Sequence, residues 1–266
     1  MDVDQWAEAI AGRTDAGSYP SVVLLTDKVA GSLLAPFEVQ ADDENLYWVK
    51  SSSLLPPAEP AALVKEYVVA RAGALIGAPV CRSTLIRIPP DLDGEELRDG
   101  MFLKAGLAHG SLAVERADER GRPYLVERKS DDNVRRHARI YALFDWCCGS
   151  DAQWLYDIDD NLSIYSHDHG RYLPPMDTGF LTRAALEAEV GRDNSLTDSP
   201  VGLNANELMD VASDLLKVSE NDLLTILKGV PASWPVDDET LGALGWFLFE
   251  RREGVAQRLM QLTSRV

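Results

Sequence analysis

Cysteine is scarce in this chain, and its few cysteines are poorly placed for disulfide bonds. The sequence has three cysteines among 266 residues, and two of them, Cys147 and Cys148, are neighbours. Adjacent cysteines do not readily bridge each other, and an odd cysteine count in a chain of this length is typical of a reducing compartment. A disulfide-stabilised scaffold is therefore excluded, and we expect a cytoplasmic protein.

Long apolar runs are also missing. The longest run of apolar residues and glycine extends from Ala72 to Cys81, whereas a membrane helix needs about 18 consecutive apolar residues. The chain starts with the acidic sequence Met1 to Asp4 and lacks the cationic start of a signal peptide. We therefore expect neither a membrane segment nor a secretion signal.

Positive charge is in short supply. The sequence has 26 Lys and Arg against 43 Asp and Glu, which gives a formal net charge of −17. Such a field repels the phosphates of nucleic acids and of anionic membranes, so we expect no direct binding to either. A small phosphorylated ligand stays compatible with this charge, because one local Lys or a bound cation outweighs the global field.

Several familiar catalytic motifs are absent as well. There is no G-x-S-x-G elbow, no Walker loop and no G-x-G-x-x-G dinucleotide loop. The overall composition is nevertheless that of a globular protein, with 45% apolar and 26% charged residues. A chain of this length has enough apolar residues to bury a sizeable core.

The first half of the chain is predicted to be rich in strands. Residues 21–25 form a short apolar run, and residues 37–40 and 46–50 predict a hairpin around a polar turn at 42–45. A helix is predicted over 61–75, where apolar residues recur at helical spacing. Two further strands are predicted at 81–88 and, more weakly, at 110–116.

The second half is predicted to be mainly helical. Helices are expected over 133–148, 204–218, 219–228 and 237–263, with Ser219 as an N-cap. A strand is predicted at 162–166, after an acidic stretch that we interpret as a hairpin turn. A charged turn at 118–122 is the expected boundary between an N-terminal lobe, 1–117, and a C-terminal lobe, 118–266.

Lys50 and Glu66 are the first candidate functional residues. Lys50 ends an apolar strand, and Glu66 lies in the helix that follows. Phosphoryl transfer needs fixed positive charge on nucleotide phosphates, which a strand Lys held by a helix Glu supplies. Each residue also has an ordinary interpretation. Lys50 could be a strand-end Lys whose ammonium reaches water, and Glu66 could form an exposed pair with Lys65 on the helix surface. The pattern alone leaves both interpretations open.

The passage Tyr165 to Gly170 is the sharpest local signal, because it holds two of the four histidines around an Asp. On a strand, His167 and His169 would share a face and could hold Zn²⁺ or Fe²⁺. Alternatively, Asp168 is the ligand, since Mg²⁺ prefers carboxylate oxygen. We favour Asp168 and Mg²⁺, because the sequence offers no obvious third ligand for a zinc site; a polar turn without a ligand is the remaining alternative.

Asp151 follows a Gly-Ser pair at the end of a predicted helix. An Asp at such a place is often only a turn residue. As a functional group it would lie on a loop held by a rigid helix, the usual position of catalytic residues. Gln153 would then reach the same cleft.

The order of these parts resembles the HipA-like kinases, bacterial members of the protein-kinase-like fold. Three stretches carry the resemblance: Leu46–Lys50 with the helical sequence 64–80, residues 142–146 running into 149–151, and the Ser-His-Asp-His-Gly of 166–170. The resemblance implies an α+β, two-lobed protein-kinase-like fold, with a small β-rich N-terminal lobe and a larger, mainly helical C-terminal lobe. It also implies a Mg²⁺- and ATP-dependent phosphotransferase that acts on a hydroxyl of a protein Ser or Thr or of a small molecule.

The resemblance also implies residue roles. Lys50 would contact the nucleotide phosphates and Glu66 would hold it, while Gly31 and Ser32 fall where the family has its phosphate-covering loop. Asp151 would be the catalytic carboxylate that orients or deprotonates the acceptor hydroxyl, and Asp168 would hold Mg²⁺.

The catalytic loop departs from the family pattern. The family has an Asp-Arg-His-x-x-Asn type of loop, whereas Ala152 and Gln153 follow Asp151 here and Tyr156 occupies the Asn position. Gln153 would have to replace that Asn as a metal ligand and catalytic-loop group through its amide oxygen. A pseudokinase or nucleotide-sensing module, with weakened or no catalysis, is therefore the alternative function.

Overall fold

The computed structural model describes residues 1–98, 100–121, 132–176 and 178–266. Most strands lie in the first half of the chain and most helices in the second, which confirms the predicted α+β class. The strands, in chain order, are β1 (Val22–Val29), β2 (Phe37–Ala41), β3 (Leu46–Lys50), β4 (Ser83–Ile88), β5 (Glu96–Arg98), β6 (Met101–Phe102), β7 (Gly106–Leu112), β8 (Ala117–Gly121), β9 (Gln153–Asp157) and β10 (Ser163–Ser166).

The helices, in chain order, are α1 (Val3–Ile10), α2 (Ala62–Leu75), α3 (Asn133–Trp146), α4 (Arg183–Glu189), α5 (Ala205–Lys217), α6 (Glu220–Lys228) and α7 (Asp238–Leu262). The helices predicted at 61–75, 133–148, 204–218, 219–228 and 237–263 are thereby confirmed to within two residues at each end. At the start of α6, Ser219 and Asp222 form a reciprocal capping box, which satisfies backbone N–H groups that a helix leaves unpaired at its first turn.

A five-stranded antiparallel sheet in the order β1-β2-β3-β7-β4 forms the N-terminal region. The predicted hairpin is confirmed, with Phe37 opposite Val49 and Glu38 opposite Trp48. Because side chains alternate along a strand, Val49 packs into the apolar core on one face of the sheet, and Trp48 and Lys50 lie on the other face. The hairpin therefore brings Lys50 to the face that borders the cavity described below.

The strand predicted at 110–116 is shifted in the structure, where β7 begins at Gly106 and ends at Leu112. Gly110 lies in close contact with the neighbouring strand β4, and a Cβ at this position would come within 2.3 Å of Cγ1 of Ile86. A glycine in the middle of a strand, which weakens a sequence-based strand prediction, is here required by the close packing of two strands.

The predicted charged turn at 118–122 is wrong for residues 118–121. These residues belong to β8, which pairs with β9 in the three-stranded sheet β10-β9-β8, and residue 122 lies outside the described residues. Pairing with β9 overrides the low strand propensity of an Ala-Asp-Glu-Arg-Gly sequence. The division of the chain at 117/118 stays a prediction.

Helix α2 lies at the centre of the molecule, and its residues from Ala62 to Ala70 are all buried. It contacts β4 and β7 of the large sheet as well as α3 and α6 of the helical region. Helix α1, which the sequence did not predict, packs against α7. Within the described residues, no helix is both long enough and apolar enough to cross a bilayer.

Candidate active site

A cavity of about 520 Å³ lies between the five-stranded and three-stranded sheets. Its walls come from β1, β2, β3, β7, α2, β8, β9, the end of β10 and the residues that follow β10. The predicted site residues that line this cavity are Ser32, Lys50, Glu66, Gln153 and Asp168. Val114, which precedes β8, and Ala117, its first residue, also line it. Gly31 and Asp151 are not among the described lining residues.

Lys50, Glu66 and Asp168 form an ion-pair network at the inner end of the cavity. Nζ of Lys50 donates to Oε1 of Glu66 and, at 2.7 Å, to Oδ1 of Asp168. Only 11% of the Lys50 side chain and 4% of the Glu66 side chain are exposed, whereas 28% of Asp168 is exposed. Residues 118 positions apart in the sequence therefore share one charged contact, and both surface interpretations of Lys50 and Glu66 are wrong.

The charges of this network stabilise one another. Burial by itself lowers the pKa of Lys50, but the negative charges of Glu66 and Asp168 outweigh it and hold that pKa above its ordinary value. Burial by itself raises the pKa of Glu66, and the charge of Lys50 brings that pKa below its ordinary value. The ammonium and the carboxylate are thus both ionised at neutral pH, as a fixed charge in a phosphate site requires.

The backbone after β10 completes the network. Oε2 of Glu66 accepts from the backbone N–H of His169 at 3.1 Å, and Oε1 accepts from that of Gly170 at 3.1 Å. Asp168 itself has a left-handed backbone conformation with φ of 55°, which non-glycine residues seldom adopt and which is frequent at functional sites. Glu66 therefore fixes both Lys50 and the loop that carries Asp168.

The two histidines around Asp168 do not share a strand face, because β10 ends at Ser166 and His169 begins a 3₁₀ turn. Nε2 of His169 lies 3.0 Å from Oγ of Ser166, and burial lowers the pKa of His169 to about 3. His169 is therefore neutral, and it lines the cavity together with His167. Among residues 1–98, 100–121, 132–176 and 178–266, no group of three His, Cys, Asp or Glu side chains is arranged to hold a metal.

Asp151 lies in the connection from α3 to β9, and Gln153 is the first residue of β9. Asp151 is exposed, and its Oδ2 accepts from Nε2 of Gln153 at 2.9 Å. The loop before them is well held, since Oγ of Ser150 donates to the backbone oxygen of Arg171 at 2.5 Å. Gln153 thus connects the exposed carboxylate to the cavity. Its amide nitrogen donates to Asp151, which leaves its amide oxygen available for another contact.

The loop predicted to cover phosphates connects β1 to β2 and spans residues 30–36. Ser32 lines the cavity, and its backbone oxygen accepts from the N–H of Ala35 at 3.0 Å. A Cβ at Gly31 would meet nothing within 4 Å, so no close packing in this structure requires glycine there. The loop lies beside the cavity, and its serine is the predicted residue that reaches it.

Sequence reasoning missed several polar residues around this site. His109 of β7 lies opposite Lys50 of β3, is buried and lines the cavity. Burial, together with the charge of Lys50, lowers the pKa of His109 to about 3. Lys65 and Glu59 are also buried, although Lys and Glu are almost never fully buried unless they are paired. The uniformly apolar surroundings of Lys65-Glu66 in the sequence were the available signal, because a helix without a polar face is a buried helix.

Comparison with known sequences points to one family. A family model described as HipA-like kinase matches residues 22–165, a little more than half of the chain. The match covers Lys50, Glu66, Asp151 and Gln153 and ends just before Asp168. Comparison with curated proteins finds no match.

Comparison with solved structures finds kinases among the similar folds. The crystal structure of CtkA, a Helicobacter pylori proinflammatory kinase, aligns with a TM-score of 0.56 and 10% identity over 94% of this chain and 100% of CtkA. The Golgi casein kinase aligns with a TM-score of 0.44 and 9% identity over 97% of this chain and 76% of that chain. Its structure with Mn/ADP bound has a TM-score of 0.43, 9% identity and coverages of 99% and 77%. The likeness to CtkA shows that the predicted kinase-like fold is correct.

Proposed function

This chain belongs to the family of HipA-like kinases, and on that premise we propose that it uses ATP and Mg²⁺ to phosphorylate a hydroxyl group. The acceptor is a Ser or Thr of a protein or a small molecule, and the reaction takes place in the cytoplasm. The observation that carries the proposal is the contact of Lys50 with both Glu66 and Asp168 beside a cavity of about 520 Å³. A kinase requires the pair of strand Lys and helix Glu and a metal-binding Asp at the same place.

The charge of the cavity supports a need for a divalent cation. Two lysines and five carboxylates line it, so its formal charge is −3. Both lysines are already paired: Lys50 with Glu66 and Asp168, and Lys28 with Glu38 at 2.9 Å. A triphosphate would be repelled from such a lining unless a cation entered with it.

The donor set fits Mg²⁺, which prefers carboxylate and amide oxygens. Asp168 supplies a partly exposed carboxylate, and Gln153 supplies an amide oxygen at the cavity wall. When bound, Mg²⁺ would neutralise phosphate charge that develops in the reaction. Asp168 and Gln153 are the residues that would hold it.

The chain's own residues would then divide the chemistry. Lys50, fixed by Glu66, contacts the phosphates and orients them for transfer. Ser32 and Gly31 approach the phosphates from the β1–β2 loop. Asp151 accepts or orients the proton of the acceptor hydroxyl, and its exposed position lets an acceptor reach it from solvent.

A pseudokinase or nucleotide sensor is the second candidate. The observation that favours it is Tyr156, which occupies the position of the family's metal-binding Asn and is completely buried in β9. A buried Tyr in a strand cannot replace that Asn at the cavity. Nucleotide binding without turnover is the behaviour expected of this alternative.

A thermal shift assay tests nucleotide binding first. At about a hundredfold excess over its dissociation constant, a ligand of the folded state stabilises it by about 2.7 kcal/mol. Mg²⁺-ATP should raise the Tm of the wild type but not of Lys50→Ala or Asp168→Asn, and formation of ADP should follow. A shift without ADP formation would favour the pseudokinase, and no shift at millimolar Mg²⁺-ATP would contradict both functions.

A further inference from the structure

Lys65, the neighbour of Glu66 on α2, is completely buried. Its Nζ donates to the backbone oxygen of Leu173 at 3.1 Å and to that of Thr178 at 2.9 Å. Lysine is almost never fully buried unless it is paired. Here the ammonium joins α2 to the chain that follows Asp168.

Two further contacts join the same parts of the molecule. Oε1 of Glu59, whose side chain is 4% exposed, lies 2.5 Å from Nη2 of Arg171. The backbone N–H of Ala61, just before α2, donates to the oxygen of Gly179 at 2.9 Å. Gly179 approaches so closely that a Cβ there would lie 2.2 Å from Cα of Glu59. We refer to residues 169–176, 178 and 179 as the anchored segment.

Glu66 contacts the start of this segment through the N–H groups of His169 and Gly170. Lys65 contacts it further along, at Leu173 and Thr178. Two adjacent residues of one helix thus hold two successive parts of the anchored segment. A displacement of the segment would therefore move both partners of Lys50, which are Glu66 and Asp168.

We propose that Lys65 is a positioning residue of the phosphotransfer site. By fixing α2 to the anchored segment, Lys65 keeps the Lys50–Glu66–Asp168 network assembled. This inference rests on the proposed function for its effect on catalysis. Its physical basis is that an aligned reacting group loses about a hundredfold in rate when a distant substitution misplaces it by about 1 Å. Lys65 does not line the cavity and acts through Glu66.

A structural role without any link to the site is the competing explanation, and Arg13 provides a matched control. The Arg13 side chain is 5% exposed, and it donates to Oδ1 of Asp238 at 2.7 Å and to the backbone oxygens of Val230, Pro231 and Val236. It is therefore also a buried cation that binds carbonyl oxygens, but it lies in the helical region near α7. Lys65→Met and Arg13→Met each remove such a cation and retain an unbranched apolar chain.

The experiment compares ADP formation from Mg²⁺-ATP and amide hydrogen exchange in the wild type and in these two variants, well below their Tm. For Lys65→Met we expect kcat to fall about a hundredfold, with a smaller change in the KM for ATP, because the lining residues outside the Lys50–Glu66–Asp168 network stay in place. The amides of His169 and Gly170 should exchange faster in Lys65→Met alone. Arg13→Met should lower Tm but leave kcat and these two amides as in the wild type.

Equal losses of Tm in both variants, with unchanged kcat and unchanged exchange at His169 and Gly170, would overturn the inference. If the wild type formed no ADP, the proposed function would fail, yet the exchange comparison would still decide whether Lys65 holds the Glu66 contacts. Lys65→Arg gives an additional check, because it keeps the positive charge. If that charge is what holds the segment, Lys65→Arg should recover part of the exchange protection that Lys65→Met loses.

Discussion

The two halves of the candidate site are built very differently. Lys50 and Glu66 are almost inaccessible to water and are tied to each other, to Asp168 and to the backbone of the following turn. Asp151 is exposed, and its described side-chain contact is one hydrogen bond from Gln153. The charge that we propose to bind phosphate is therefore assembled in advance, whereas the group that would act on the acceptor is open to solvent.

We expect this difference to separate the proposed nucleotide binding from the proposed turnover. The buried half holds the residues for which the sequence resemblance implies phosphate and metal contacts, and the exposed half is where the sequence departs from the family's catalytic-loop pattern. Substitutions in the buried half should change stability and catalysis together. Substitutions in the exposed half should change catalysis alone, and the three predictions below test this contrast.

Replacing Lys50 should have the largest effect. Lys50→Met leaves Glu66 buried without its cation, and breaking a buried pair in this way costs about 3 kcal/mol or more. The rate of ADP formation should fall about a thousandfold, as expected for loss of a fixed charge at the reacting group. Urea unfolding and a steady-state assay measure the two effects.

Lys28→Met is the matched control for stability, because Lys28 also pairs with a Glu of the cavity wall but is 60% exposed. Its ammonium contacts water, although Glu38 is only 6% exposed, so Lys28→Met should destabilise the protein less than Lys50→Met, where both partners are buried. Equal destabilisation by the two substitutions would contradict the special role given to the buried pair.

Asp151→Asn should separate activity from stability. The substitution keeps the size of the side chain and its ability to accept from Gln153, but removes the carboxylate. Loss of a general base costs about a hundredfold or more in rate, while Tm should stay that of the wild type because the residue is exposed. ADP formation and a thermal melt measure both quantities, and an unchanged rate would assign the proton transfer to another group.

The smallest effect concerns stability at low pH. His109 is buried with a pKa of about 3, while an unfolded His has a pKa of about 6.5. Between these values the unfolded chain binds one more proton, so the protein should lose stability as pH falls below about 6.5, by about 1.4 kcal/mol per pH unit at most for this residue.

Oγ of Ser83 lies 3.0 Å from Nε2 of His109. The substitution His109→Gln removes the titrating group and can keep this hydrogen bond. The variant should therefore lose less stability than the wild type between pH 7 and pH 5, which urea unfolding at each pH would measure. The exposed substitution Lys228→Gln should leave the wild-type slope unchanged. Identical slopes for His109→Gln and the wild type would show that His109 is protonated in the folded protein.

Much of the fold could be predicted because local signals agreed with the tertiary structure. The hairpin of β2 and β3 has alternating side chains around a polar turn, and α5, α6 and α7 have apolar spacing and caps. Helix α1 was missed, although Asp2 and Gln5 form a capping box at its start. Its eight residues are too few for periodicity to be convincing, and it is stabilised by packing on α7.

The site could be predicted only in part, for a related reason. The residue types of Lys50, Glu66 and Asp168 were found from their order, but their burial could not be read from it. Lys65 and Glu66 have the pattern of a surface pair, and only the apolar sequence on both sides of them indicates that their helix is buried. The contacts of Lys65 with Leu173 and Thr178 join residues more than a hundred positions apart, a distance at which sequence pattern carries no information.

The burial of α2 has a consequence for how the chain folds. Side chains of α2 share one continuous apolar core with α3, α6 and α7, although α2 belongs to the N-terminal region in sequence. A fragment ending near residue 117 would expose that apolar surface to water and would lack the partners that bury it. The N-terminal and helical regions thus depend on each other for their stability, and we expect them to unfold in a single cooperative transition.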